Sequence, residues 1–123
     1  MTLMLLALCS FLGCQSGPRI YHVKGTVTYK GQPLPAGVIF FDPDIMKQND
    51  GPQGYAFVKD GVYDTADKGG QGVVGRAYQV RIQGFDGKPG EELPMGRTLF
   101  TGFKQAVEFP LQNSTHDFQV PGD

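Results

Sequence analysis

The chain has 123 residues, with 11 basic against 12 acidic and a net charge of −1. That is the length of one domain, and it lacks the surplus of cations that tracking a nucleic-acid backbone requires. Eighteen Gly and nine Pro favour turns over long helices, while a 40 % apolar share with nine Phe and five Tyr excludes a disordered chain.

Residues Met1 to Gly13 read MTLMLLALCSFLG and carry no charge. At about 1.5 Å per residue a helix of this stretch spans roughly 20 Å, short of the ~30 Å hydrocarbon core of a bilayer. It predicts the apolar region of a signal peptide over 1–13 rather than a membrane-spanning anchor. Both cysteines, Cys9 and Cys14, fall in the first fourteen residues, which leaves the body of the chain without an internal disulfide or a thiolate zinc site.

The stretch ends in Phe11-Leu12-Gly13-Cys14, followed by the polar Gln15-Ser16-Gly17-Pro18-Arg19. This ending resembles the lipobox of bacterial lipoproteins, in which small residues precede a lipidated cysteine. The resemblance implies cleavage after Gly13, acyl chains (palmitate among them) on Cys14, and a short linker over 14–19. It further implies export and a lipid anchor in the cell envelope, with Gln15 in place of the Asp that retains some lipoproteins in the inner membrane. Two features depart from the pattern. Phe11 stands where Leu is usual, and no Lys or Arg precedes the apolar run, as expected if the start lies upstream of Met1. The anchor is physically sound, because each buried methylene contributes about 0.8 kcal/mol and two or more chains hold stably. The alternatives are an ordinary thiol after a conventional cleavage site, or a buried N-terminal helix.

From Ile20 onward the hydrophobic pattern has period two. Val23, Gly25, Val27 and Tyr29 share one face of a first strand, with Lys24, Thr26 and Thr28 on the other, and Lys30 to Pro35 makes a turn. Val38-Ile39-Phe40-Phe41 is expected to be a short, well-buried strand, and Met46 to Gly54 a loop. Asp60-Gly61 between Gly54–Lys59 and Val62–Thr65 signals a tight hairpin, since both residues tolerate positive φ. In the strand over 76–83, Tyr78, Val80 and Ile82 face the core opposite Gln79, Arg81 and Gln83. Phe85 to Met95 is expected to be an exposed loop. Ala106–Phe109 and His116–Val120 close the series, joined by Gln112-Asn113-Ser114. About seven short strands with turns at intervals of roughly ten residues predict an all-β, Ig-like antiparallel β-sandwich.

Four blocks add a second resemblance. Val23-Lys24-Gly25-Thr26-Val27-Thr28-Tyr29-Lys30-Gly31-Gln32-Pro33-Leu34 is similar to the opening of transthyretin-like, carboxypeptidase-regulatory-like domains. Ala36–Phe41, Gly75–Ile82 and Asn113–Val120 resemble that family's later strands, in the same order. A lipobox, a short linker and one such domain over 20–121 together resemble planctomycete-type lipoproteins. The resemblance implies a transthyretin-like sandwich serving as an accessory unit, and implies no catalytic residue, cofactor or metal. A sandwich of this kind hosts many roles, so fold alone does not name one.

Chemistry-bearing residues are sparse. His22 and His116 are two potential ligands without a third. Asp42, Asp44, Asn49 and Asp50 make an oxygen-rich segment without the alternating order of a calcium loop. Lys24 and Asn113 have the residue types of an intramolecular isopeptide bond, although alternation turns Lys24 to solvent. The chain ends Val120-Pro121-Gly122-Asp123, not in the Tyr-Arg-Gly-Ser tail of the hydroxyisourate hydrolases that share the transthyretin-like fold, and no Ser lies in a Gly-x-Ser-x-Gly elbow. Most Phe and Tyr are expected at core-phase positions, with Phe85, Phe100 and Phe103 near loops as candidates for an exposed patch, burial under those loops being the favoured role. The expectation is therefore a non-enzymatic, membrane-tethered envelope module that offers sheet edges or loops to a protein partner. The alternative is a carbohydrate- or peptide-binding accessory module using the loops at 42–54 and 85–103.

Overall fold

A computed structural model describes residues 19–122. The signal segment, Cys9, Cys14 and the linker as far as residue 18 lie outside the described residues. The fold is all-β. Its strands are β1 (Val23–Tyr29), β2 (Gln32–Pro33), β3 (Ala36–Pro43), β4 (Gly54–Lys59), β5 (Val62–Asp64), β6 (Arg76–Phe85), β7 (Thr98–Phe109), β8 (Ser114–Thr115) and β9 (Phe118–Val120). Hydrogen bonding runs in the order β2-β1-β5-β4-β3-β6-β7. These pairs are all antiparallel, whereas β8 and β9 run parallel to β1.

Local chemistry explains the turns. Lys30-Gly31 and Asp60-Gly61 each place two successive residues at positive φ (53° and 77°, 51° and 78°). That is the type I′ geometry whose twist matches the flanking strands. The alternation in β6 also holds, with Tyr78, Val80 and Ile82 buried.

The sheet curls until its two ends face each other across one core. Tyr29 of β1 lies 4.8 Å from Phe100 of β7, ring centre to ring centre. Phe41, Tyr63, Tyr78, Phe109 and Phe118 fill the interior, with Phe41–Phe109 and Tyr78–Phe109 centroids both 5.6 Å apart in edge-on geometry. Each such pair contributes about 0.5–1.5 kcal/mol beyond the area it buries.

β1 is joined on its outer edge to the last segment of the chain, and that junction is interrupted. Ser114 and His116 donate their N–H groups to the carbonyls of His22 and Lys24. The Asp117 carboxylate then takes the Thr26 N–H at 2.9 Å, before β9 resumes the ladder. The irregularity presses the His116 carbonyl onto Gly25, where any Cβ would collide with it. The buried Tyr63 hydroxyl donates to the same carbonyl at 2.5 Å.

Three expectations are revised. β3 is fully buried on one phase only: Gly37, Ile39 and Phe41 are buried, while Val38 and Phe40 on the other phase are half-buried. The last long strand begins at Thr98, well before Ala106, so Phe100 and Phe103 belong to β7 and not to a loop. The segment 46–54 opens with a single 3-10 turn, Ile45–Lys47.

Gly25→Ala is expected to destabilise the fold by about 1–3 kcal/mol, the usual cost of overpacking a closed site. Gly102→Ala, which meets nothing within 4 Å, should stay within about 0.5 kcal/mol of wild type. Urea midpoints at unchanged m-value measure both.

Candidate binding surface

The outer face of the β4-β3-β6-β7 sheet carries the most unusual surface. Register sets Val38 beside Phe57 and Phe40 beside Tyr55, then Gln83 beside Val38, Arg81 beside Phe40 and Gln79 beside Asp42. Tyr55 and Phe57 are 37 % and 52 % exposed. The interior is already filled by large rings, so β4 turns its small phase inward (Gly54, Ala56, Val58) and its aromatic phase outward. Gly69, at φ +85°, lies beside the Phe57 ring, so that a Cβ there would come within 3.3 Å of the ring edge.

Polar groups around these rings are held in place. The Arg81 guanidinium stacks over Phe40, 4.7 Å from the ring centre, while its Nε donates to Asp42 at 2.5 Å. Gln53 Nε2 donates to the other Asp42 oxygen at 2.6 Å. Partial burial raises the Asp42 pKa, but the hydrogen bonds from Arg81 and Gln53 outweigh it and leave the carboxyl below its ordinary value. The face thus joins flat apolar rings to an ordered guanidinium–carboxylate pair and to the strand-borne amides of Gln79 and Gln83. Arrays of this kind stack on and hydrogen-bond a partner.

The residues singled out in the sequence separate. Asn49 is buried, and its amide donates to the Gly75 and Ala77 carbonyls at 3.2 and 2.7 Å. It ties the 44–51 segment to β6 and stands apart from the Asp42 ion pair. Asp44 contributes backbone hydrogen bonds to Lys47 and Asn49, and Asp50 is exposed. Among the described residues no three His, Cys, Asp or Glu side chains are grouped to hold a metal ion.

The histidine rings serve different neighbourhoods. His22 Nδ1 lies 3.1 Å from Thr65 Oγ1, and that buried hydroxyl also accepts the Val23 N–H. His116 packs 4.6 Å from Phe118 and 5.9 Å from Phe109, with Nε2 buried and without a partner. Lys24 and Asn113 both line a shallow cleft of about 310 Å³ with His22, Asp64, Ser114 and Thr115. Lys24 is exposed as alternation requires, and Asn113 Oδ1 accepts the His22 N–H at 2.8 Å.

Of the two roles open to the loop-proximal rings, the structure shows burial. Phe100 and Phe103 pack against the core and Phe85 is half-buried, because β7 carries the first two onto the inner face. The rings left exposed are Tyr55 and Phe57 of β4. The available signal was that both phases of Tyr55-Ala56-Phe57-Val58 are apolar. No known protein family, curated protein or solved structure matches the chain.

Burial among aromatic rings holds the His116 imidazole below its ordinary value, against a smaller opposing effect of Asp117. The unfolded chain, whose histidine titrates near ~6.5, therefore takes up this proton more readily than the folded one. Stability from this site is complete above about pH 6.5 and is lost as pH falls towards the lower folded-state value. Urea unfolding from about pH 8 down to about pH 5 should show this decline, and His116→Phe should make the slope shallower.

Proposed function

We propose that the protein is a non-enzymatic envelope lipoprotein, tethered through Cys14, whose β-domain binds an envelope protein through the outer face around Phe40, Tyr55, Phe57 and Arg81. The observation that carries this reading is the pair of exposed rings on a regular sheet beside an ordered ion pair. A sheet face gains nothing in folding from exposing two aromatic rings, and such residues are enriched at the energetic centres of interfaces. The tether rests on the apolar segment that stops at Gly13-Cys14 and on the polar residues that follow. The kinship with transthyretin-like domains rests on the four ordered sequence blocks, and an accessory role suits it.

A second reading has one observation in its favour. Gln53, Gln79 and Gln83 surround the same rings with planar amides, a combination suited to stacking on a sugar ring while hydrogen-bonding its hydroxyls. On that reading the occupant of the face is an envelope polysaccharide.

Intact-mass measurement of the membrane fraction should show loss of residues 1–13 and added acyl mass, and Cys14→Ala should release the protein into the soluble fraction. A soluble, unmodified wild-type product retaining Met1 overturns the tether.

For the face, a photo-crosslinking residue in place of Phe57 should capture an envelope protein in native membranes, whereas one in place of Glu91 should not. Tyr55→Ala with Phe57→Ala should weaken that partner's binding by at least about tenfold, as the loss of a hot spot does, with the unfolding midpoint nearly unchanged. Retention on purified envelope polysaccharide, abolished by the same double substitution, would establish the sugar reading instead.

A further inference from the structure

The described chain enters the domain at Arg19. This is the end of the sheet where β3 and β7 finish and where β1, β4 and β6 begin. The same end carries the 3-10 turn Ile45–Lys47, whose Ile45 and Met46 are 74 % and 92 % exposed. The turn is pinned to the start of β6: Asp44 N–H donates to the Ala77 carbonyl at 3.0 Å, and the Asn49 amide grips the Gly75 and Ala77 carbonyls. Leu111, 58 % exposed, comes up against Gly75 from the other side and lines one shallow depression with Arg19 and Arg76.

Exposed aliphatics also occur at the far end, at Val62 and Leu93, so exposure by itself decides nothing. The leash decides. Four residues lie between Cys14 and Arg19, and the five residue-to-residue steps, at ~3.3–3.6 Å each, reach at most about 18 Å. The ten residues of β6 extend roughly 33 Å at ~3.3 Å each. A lipid on Cys14 therefore keeps the Ile45–Met46 end near the bilayer at high effective concentration, while the end with Leu93 is a strand length further from the leash.

We propose that Ile45, Met46 and Leu111 form an insertion patch that enters the interface of the same membrane that holds the Cys14 lipid. The patch adds to the anchor and orients the domain with its Arg19 end down. The proposal rests on the tethered reading given above. Charge at this end is balanced, with Arg19, Lys47 and Arg76 against Asp44, Asp50 and Glu108. The contact is therefore apolar and should depend little on salt.

The chain has no Trp, so one introduced Trp reports alone. The full chain bearing Met46→Trp, reconstituted through its lipid into phosphatidylethanolamine and phosphatidylglycerol vesicles, should show blue-shifted emission. Brominated acyl chains should quench that emission, at low and high salt alike. The Leu93→Trp chain should remain water-like and unquenched. Adding Ile45→Ser and Leu111→Ser to Met46→Trp should reduce the quenching. Intact mass reads the acyl group on Cys14 independently. An acylated Met46→Trp chain with water-like, unquenched emission overturns the patch and leaves the tether standing. A chain without acyl mass overturns the tether, and with it the argument from the leash.

Discussion

The fold depends on how β1 is closed against the end of the chain. β1 takes partners on both edges from distant parts of the sequence, β5 on one side and β8 with β9 on the other. The two segments on its outer edge cannot form one continuous ladder, because the His116 carbonyl turns inward between them. Three groups make that break tolerable. Gly25 leaves room for the carbonyl, the Tyr63 hydroxyl satisfies it, and the Asp117 carboxylate receives the Thr26 N–H that the missing ladder partner would have taken. A carbonyl buried without a partner costs about 1–3 kcal/mol, so the Tyr63 bond is an integral part of the seam. Burial raises the Tyr63 phenol well above its ordinary pKa, and the nearby charges of Asp117 and Asp64 act in the same direction. The hydroxyl therefore keeps its proton and remains a donor.

Parallel pairing at this seam has a consequence for the whole domain. Because β9 runs alongside β1 in the same direction, the described chain enters at one end of the sheet and leaves at the other. Gly122 lies beside the Lys30 side chain, next to the β1–β2 turn, a strand length from Arg19. An antiparallel closure would have brought entry and exit together. The 3-10 turn, Asn49 and Leu111 therefore share their end with the entering chain, while the type I′ turns share theirs with the exit.

Much of this was legible in the sequence where one phase of a strand is apolar and the other polar. Tyr78-Gln79-Val80-Arg81-Ile82 leaves no choice of face, and Asp60-Gly61 leaves little choice of turn. Legibility failed where both phases are apolar. In Tyr55-Ala56-Phe57-Val58 and in Val38-Ile39-Phe40-Phe41, hydrophobicity ranks the larger rings as core. Volume decides otherwise, because an interior already occupied by Phe41, Tyr63, Tyr78 and Phe109 accepts only Gly54, Ala56 and Val58 from β4. Composition along one strand cannot report the volume left by others. Thr98–Gln105 was missed for a different reason. Its strand is irregular opposite Gly84, with register shifts on both sides, which breaks the period-two pattern that reveals a strand. The buried role of Asn49 was hidden because its partners are backbone carbonyls 26 and 28 residues away.

The aromatic face and the apolar end are set at right angles by the geometry of the sheet. Side chains stand perpendicular to the sheet, so Tyr55 and Phe57 project sideways, whereas Ile45 and Met46 leave along the strand axis. Under the proposed tether, a domain held by its Arg19 end would present the ring-bearing face parallel to the bilayer normal, open to a partner that approaches within the plane of the membrane surface. The seam at Gly25 lies on β1, separated from β3 by β5 and β4, and is not part of that face. Contact at the face then requires no opening of the closure that holds the domain together. The β3–β6 register and the Arg81–Asp42–Gln53 hydrogen bonds hold the Phe40–Arg81–Asp42 array in place, and a preformed array loses less side-chain entropy on binding than a mobile one.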